Sequence, residues 1–325
     1  MTGANKRPFL IDTDTASDDA VALVMALRST HVRVEAITVV AGNVPVEQGS
    51  KNALHTVELC AADAPVFAGA PRPLSRALRA ADWFHGRDGL GDHGYAPSER
   101  SVENEHAVDA IVRVTRANPG IEIVTLGPLT NFALAVQREP AFVKNVGRFV
   151  VMGGAPCCEG NVTPAAEYNI WVDPEAAKIV FRSGLRIELI GWQLCRGRAI
   201  INEHDIEYLN SLRSPFADFA VRSNSAAARA LQRQTGEVGI SLPDPVAMGV
   251  ALDPSLSLDS SDHYADIETA SELTRGMTVV DRLNVARDER NRDVWADVLK
   301  TSALTNICWK LDVARWKELL FSALR

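Results

Sequence analysis

Four aspartates fall within eight positions in Phe9-Leu-Ile-Asp12-Thr-Asp14-Thr-Ala-Ser-Asp18-Asp19-Ala-Val-Ala-Leu, where an apolar strand-like run gives way to helical spacing. Carboxylates crowded within a few ångströms do not all stay ionised without a cation among them, and a hard divalent metal is the simplest one. The flanks place the cluster at the carboxyl end of a first strand, where open α/β sheets keep their ligands. Helix capping competes for part of this signal, since Ser17, Asp18 and Asp19 all suit a helix start. It accounts for at most two of the four aspartates. Asp12 and Asp14 stand on the strand side, where an apolar residue is the default. An EF-hand is excluded because Ala16 takes the third ligand position and the central glycine and terminal glutamate are missing. The D-x-D-x-T start of an aspartyl-phosphate phosphatase fails at the same Ala16, and that chemistry has no use for Asp18-Asp19.

Further polar residues fall where later strands are predicted to end, in Val40-Ala-Gly42-Asn43, Leu126-Gly127-Pro128-Leu-Thr130-Asn131 and Met152-Gly153-Gly154. Turn chemistry explains the glycines and the proline but does not demand the asparagines. Glu167 and Asn169 are two apart and point the same way if their segment is extended. Asp173-Pro174 reads as a helix N-cap followed by proline at the first helical position. Asp244, in Leu242-Pro243-Asp244-Pro245, is open to two readings, a cap or a ligand.

The elements that must position these residues alternate. Strand-like runs occur at 9–11, 32–40, 121–126, 149–152 and 185–190, with helical patterns at 20–27, 46–61, 105–116, 131–136 and 174–181 between them. This βαβα order predicts an α/β fold with a mainly parallel central sheet and helices on both faces. The last third predicts helices at 216–232, 246–252 and 311–324 and a β segment at 277–280. No linker, repeat or low-complexity stretch interrupts the 325 residues, so a single domain over 1–325 is expected. The composition, 46% hydrophobic and 23% charged, is that of a globular protein. A net charge of −7 without a Lys/Arg cluster argues against nucleic acid as a partner. The N-terminus carries no apolar leader and no run reaches the ~20 apolar residues a membrane span needs, so a cytoplasmic protein is expected. Five cysteines without a Cys-x-x-Cys pair suit a reducing compartment and argue against a zinc site.

Taken together, Asp12-Thr-Asp14-x-x-x-Asp18-Asp19, Gly42-Asn43, His85-Gly-Arg-Asp-Gly89-Leu-Gly, Leu126-Gly-Pro-Leu-Thr-Asn131, Met152-Gly-Gly, Asn161, Ala166-Glu167-Tyr-Asn169, Asp173-Pro-Glu-Ala-Ala and Asp244-Pro-Val-Ala resemble the calcium-dependent, inosine-uridine-preferring nucleoside hydrolases. The motifs follow in the family's order over about nine tenths of the chain. The resemblance implies hydrolysis of a ribonucleoside to base and ribose, by a single Rossmann-like domain assembled as a homodimer or homotetramer. It implies Ca²⁺ held by Asp14, Asp19, the Leu126 carbonyl and Asp244, with Asp14 taking the proton of a calcium-bound water. It places Asp18, Asn161, Glu167 and Asn169 on the ribose hydroxyls, with Asn43, His85 and Met152 as further substrate contacts. The family's proton donor to the leaving base is a histidine preceding the late aspartate, and here that position is Pro243, which has no proton to give. Substitutes within the chain are base stacking on Trp83 or Trp192, or a proton from His85, Cys157 or Cys158. Two other readings compete. A non-catalytic nucleoside-binding protein would follow from the missing histidine, and a metal-dependent phosphohydrolase would need a lysine or arginine beside the acidic cluster.

Overall fold

Segments such as Phe9-Leu-Ile and Phe149-Val-Val-Met152 are apolar without alternation, as strands covered on both faces require. A computed structural model describes residues 6–301 and 303–325. The first five residues, on which the expectation of a leaderless start rests, lie outside the described residues. Among those described, the strands are β1 (Arg7–Thr13), β2 (Val32–Val39), β3 (Val66–Ala68), β4 (Ile121–Thr125), β5 (Val146–Met152), β6 (Ile187–Ile190), β7 (Ser257–His263), β8 (Ala265–Ile267), β9 (Thr278–Val280) and β10 (Thr305–Leu311). The helices are α1 (Ser17–Leu27), α2 (Val46–Leu59), α3 (Asp82–His85), α4 (Ala107–Ala117), α5 (Thr130–Arg138), α6 (Tyr168–Val172), α7 (Pro174–Phe181), α8 (Glu203–Ser211), α9 (Pro215–Ser223), α10 (Ser225–Thr235), α11 (Pro243–Leu252), α12 (Ala296–Thr301) and α13 (Val313–Ala323).

Eight strands form one sheet in the order β3-β2-β1-β4-β5-β6-β10-β7, parallel throughout except for β7, which runs antiparallel to β10. The single-domain α/β fold with a mainly parallel sheet is thus the one expected. Alternate strand residues feed two cores: Phe9, Ile11, Val124 and Met152 pack under α1, α2 and α11, whereas Leu10, Ile123, Phe149 and Val151 pack under α4, α5 and α7. From β1 the chain steps outward to β2 and β3, then returns to place β4 on the other side of β1. The crevice left above the carboxyl ends of β1 and β4 at this reversal is where such folds bind their ligands. Asp14 follows β1 and Leu126 follows β4, so the predicted ligands face each other across it.

Several expectations need correction. The single helix predicted over 216–232 is two, α9 and α10, broken at Asn224, whose amide donates to the carbonyls of Ser17 (3.1 Å) and Ala220 (2.9 Å). The β segment predicted at 277–280 is β9, which pairs with β8 in a separate two-stranded sheet. The C-terminal helix begins at Val313, because the residues before it form β10. Glu167 and Asn169 do not lie on an extended segment, for Glu167 caps α6 and Asn169 stands in its first turn. Among the described residues no helix is long and apolar enough to cross a membrane.

At the end of the sheet away from the crevice, Glu122 of β4 joins Arg7 of β1 (3.0 Å) and Arg148 of β5 (2.8 Å), and Arg148 reaches Glu188 of β6 (2.6 Å). The Glu122 side chain is only 11% exposed, so its removal leaves two guanidiniums facing each other at little distance from solvent. Breaking a buried pair costs about 3–5 kcal/mol, and this partly wet network sets the expectation for Glu122→Ala at roughly 2–3 kcal/mol by chemical denaturation. A loss below about 0.5 kcal/mol, the range of an ordinary surface change, would show that the network does not brace the sheet.

Candidate metal centre and active-site cleft

The acidic cluster is assembled from two helices and a strand end. Asp18 and Asp19 open α1, Asp14 follows β1, and Asp244 comes from the first turn of α11. Asp19 does half of a capping box, its Oδ2 accepting from the Ala16 amide (2.9 Å) and its Oδ1 from Thr13 Oγ1 (2.5 Å). Asp244 caps nothing: the N-cap of α11 is Leu242, without a side-chain hydrogen bond. Of the two readings of Asp244, the structure removes the structural one. Trp316 of α13 fixes this helix end from behind by donating to the Pro245 carbonyl (2.9 Å).

Oxygens of Asp18, Asp19 and Asp244 lie within 4.8 Å of one another, all buried. Asp14 is fully buried beside them, and its Oδ2 accepts from the Asn43 amide (2.6 Å) while Oδ1 has no partner. Asp18 Oδ1 is equally unpartnered. Burial, and then mutual repulsion, holds Asp14 and Asp244 well above the usual carboxylate range, and Asp19 is raised by burial and by the charge of Asp18. Burial pushes Asp18 up to about 6. Unpartnered, buried, mutually repelling oxygens form a set that fits a hard divalent cation. Asp18 belongs to this tight trio although the expected ligand set omitted it. The Leu126 carbonyl lines the same cleft and accepts from Asn169 Nδ2 (2.8 Å), with a second lone pair free.

Asp12, the remaining aspartate, is not part of the cluster. Its Oδ1 accepts from Thr38 Oγ1 (2.5 Å) and Asn131 Nδ2 (2.8 Å), and burial pushes it up to about 7. Asn131 is therefore a brace for the floor beneath the site. The glycines at the strand ends also have a spatial reason that turn chemistry does not capture. A Cβ on Gly42 would lie 2.0 Å from Asp14 Oδ2, and one on Gly127 would lie 2.8 Å from Asp14 Oδ1.

Above the carboxylates opens a cleft lined by Asp18, Asn43, His85, Leu126, Met152, Asn161, Glu167, Asn169 and Asp244, which brings together every predicted substrate contact. Asp14 and Asp19 lie beneath its floor. Glu167 accepts from the amides of Gly154 (2.7 Å) and Asn169 (2.8 Å), and burial pushes it up to about 7. Asn169 Nδ2 also reaches the Met152 carbonyl (3.3 Å), and Asn161 Oδ1 accepts from the Tyr168 amide (2.9 Å). His85 Nδ1 shares a hydrogen with Ser17 Oγ (2.8 Å), and burial lowers the ring to about 4, so it is neutral near pH 7. Pro243 lines the wall next to Asp244, as do Trp83 and Trp192. Cys157 and Cys158 are not among the lining residues, and burial pushes the Cys158 thiol up to about 11. Sequence reasoning missed Tyr168, whose hydroxyl sits within hydrogen-bond reach of the carbonyls of Gly42 (2.8 Å) and Arg79 (2.7 Å) and donates its one hydrogen between them, and Gln234, which donates to the Asn161 carbonyl. The bulk of Tyr168 beside Glu167 was visible in the sequence, but its distant partners were not. Among the described residues no lysine or arginine lines the cleft, so the requirement of the phosphohydrolase reading is not met.

The raised carboxyls fix a pH dependence. Asp18 rises from 3.8 to about 6 and Glu167 from 4.5 to about 7, so the metal-free folded chain holds protons that the unfolded chain releases. Its stability is greatest below the unfolded values and is lost as pH rises from about 4 through about 7. A divalent cation replaces the protons of the clustered aspartates, though not that of Glu167, so its stabilisation grows as those aspartates ionise. Thermal unfolding with EGTA and with excess Ca²⁺ should show a larger metal-dependent rise in Tm at pH 8 than at pH 5, and equal rises would contradict this electrostatic account.

Residues 9–318 match the model of a family described as inosine-uridine preferring nucleoside hydrolase. A pyrimidine-specific ribonucleoside hydrolase RihA from Shewanella sp. (strain MR-7) is 38% identical over 297 residues, 89% of this chain and 91% of the relative. The same-named enzyme of Salmonella typhimurium is 36% identical over 301 residues, covering 90% and 94%. The solved structure of the plant nucleoside hydrolase PpNRh1 superposes with a TM-score of 0.91 at 33% identity over 98% of this chain and 99% of that one. An inosine-guanosine nucleoside hydrolase gives 0.86 at 30% identity, with 98% of both chains covered. On the family match, and on relatives that share more than a third of its residues over nearly their whole length, this chain belongs to the inosine-uridine preferring nucleoside hydrolases and is an N-glycosyl hydrolase.

Proposed function

We propose that the chain hydrolyses the N-glycosidic bond of ribonucleosides to free base and ribose, with Asp14 as general base and Ca²⁺ as its metal. The observation that carries this reading is the unpartnered Asp14 Oδ1 and Asp18 Oδ1 under a cleft whose walls are Asn161, Glu167 and Asn169. Asp14, Asp19, Asp244 and the Leu126 carbonyl would hold the ion, with Asp18 close enough to share it; an all-oxygen set that includes a backbone carbonyl suits calcium. When bound, the ion supplies Lewis-acid polarisation that lowers the pKa of a coordinated water. The Asn43 amide keeps Asp14 Oδ2 engaged, so Oδ1 is the atom that takes the proton of the attacking water. Asp18, Asn161, Glu167 and Asn169 grip the ribose hydroxyls and hold the sugar for an oxocarbenium-like transition state. Asn43, His85 and Met152 complete the contacts. The base lies between the apolar walls that hold Trp83 and Trp192.

None of the substitutes named from the sequence is a ready acid for the departing base. Pro243 lacks a proton, His85 is neutral with its Nδ1 engaged by Ser17, and the vicinal cysteines lie off the lining. The base therefore leaves largely unaided, which favours substrates with stable leaving anions. We place the enzyme in the cytoplasm, in keeping with five free thiols, as a homodimer or homotetramer that light scattering would distinguish. A screen of base release from the common ribonucleosides, with and without calcium, tests the reading as a whole; no release from any of them would return the chain to the nucleoside-binding alternative.

Asp14→Ala removes the proposed base and a metal ligand together, so turnover of any accepted nucleoside should fall at least ~10² to 10⁴-fold. Near-normal turnover would move the base elsewhere. Gly42→Ala should act on the same carboxylate by displacing it through Oδ2, lowering kcat while the folded state survives. Unaltered kcat in this variant would mean that the Asp14 position is not critical. With no acid available, p-nitrophenyl riboside should be cleaved much faster than inosine or uridine, because expelling an unprotonated base raises the barrier by several kcal/mol and each ~1.4 kcal/mol is tenfold in rate. Similar kcat values on activated and natural substrates would reveal an acid that the cleft does not display.

A further inference from the structure

The short helix α6 has a different cleft on each side. Tyr168 and Asn169 line the catalytic one, and Trp171 and Val172 line another together with Arg76, Ala77, Arg79 and Arg275. This second cleft gathers three guanidiniums in a chain of net charge −7. Arg76 is committed, paired in a fork with Glu175 (3.0 and 2.5 Å) and donating to the Thr269 carbonyl (3.1 Å). Arg275 lies over the Trp171 ring, 4.4 Å from its centroid, which holds its planar fork in place. Neither Arg79 nor Arg275 has a carboxylate partner among the described residues, and Glu175, whose charge reaches Arg275, already serves Arg76. With Glu175 committed to Arg76, two guanidiniums, Arg79 and Arg275, share this cleft without an ion pair of their own among the described residues.

We propose that the Arg79–Arg275 cleft binds a phosphate-class anion, either free phosphate or the phosphoryl end of a sugar phosphate, between the two uncommitted guanidiniums. Planar guanidinium forks match the oxygens of a tetrahedral phosphate, and a dianion offsets two charges that otherwise repel. Burial and the charges of Arg76 and Arg79 already work against the protonated form of Arg275, a penalty that a bound anion relieves. The site is connected to the catalytic cleft. The Tyr168 hydroxyl sits within hydrogen-bond reach of the Arg79 carbonyl, and the segment that carries Arg79 continues into Ala81, Trp83, Phe84 and His85 of the catalytic wall. Fixing the Arg79 side chain would therefore steady the wall against which the base lies.

The test is calorimetric titration of the full chain with inorganic phosphate and with ribose 5-phosphate, at constant ionic strength, on wild type, Arg79→Gln, Arg275→Gln and the double variant. Saturable binding of one anion per chain is expected, weakened about tenfold or more by either substitution and lost in the double variant. Thermal unfolding and phosphate-free hydrolysis should stay unchanged in Arg79→Gln, an exposed position that does not threaten folding. A preference for ribose 5-phosphate would assign the site to a phosphate ester, and equal affinities would assign it to the free anion. No saturable heat with either probe would overturn the proposal. So would binding that survives in the double variant, or that is displaced by a nucleoside and so belongs to the catalytic cleft.

Discussion

Four buried carboxylates that repel one another are the constraint around which this fold is arranged. Asp14, Asp18, Asp19 and Asp244 come from the end of β1, the start of α1 and the start of α11, and none is neutralised by a lysine or arginine. Confining them costs free energy that the rest of the chain must offset, and the offset is visible in how little freedom each is given. Thr13 and the Ala16 amide hold Asp19, the Asn43 amide holds Asp14, and Trp316 holds the helix end that carries Asp244. Gly42 and Gly127 bring the backbone close to the two oxygens of the Asp14 carboxylate, which leaves it little room to swing away and relieve the repulsion. A divalent cation converts this penalty into binding energy, and that is why the account makes the metal and the fold interdependent.

The wall of the cleft obeys a different logic. Glu167 and Asn169 are positioned through backbone amides and carbonyls of β5, α6 and the β4 end, so their polar atoms are set by the sheet itself. A site built on strand ends and a short helix is stiffer than one on a free loop, as the proposed grip on ribose hydroxyls requires. Relatives similar to this chain are named for pyrimidine, for purine and for inosine-guanosine substrates, although they share the fold. Trp83, Val162 and Gln234 line the same cleft away from the carboxylates.

Much of this was legible in the sequence, because β1, α1 and the strands paired around them are long, apolar and bounded by sharp polar turns. The four aspartates, the strand-end asparagines and the Glu167-Tyr-Asn169 segment all declared themselves by being polar where packing wants apolar residues. The failures have physical causes. β3 has three residues and β10 runs directly into α13, so neither gives a clean period. Asn224 splits α9 from α10 through contacts to Ser17, far away in sequence, and no local signal reveals that. Asp12 and Asp14 look alike in sequence and each leaves one oxygen unpartnered, yet Asp12 is tied to Thr38 and Asn131 outside the acidic cluster whereas Asp14 is held by the Asn43 amide beside it, a distinction made only by the neighbouring strands. The Arg79–Arg275 cleft joins residues nearly two hundred positions apart and was invisible for the same reason.

The central claim is that one divalent cation completes the carboxylate cluster and is required for hydrolysis. Calorimetric titration of Ca²⁺ into chelator-stripped protein, with base release measured at each addition, tests it most directly. The account predicts one ion per chain and hydrolysis regained in proportion to occupancy. Full hydrolysis by protein shown by elemental analysis to hold no metal would contradict it.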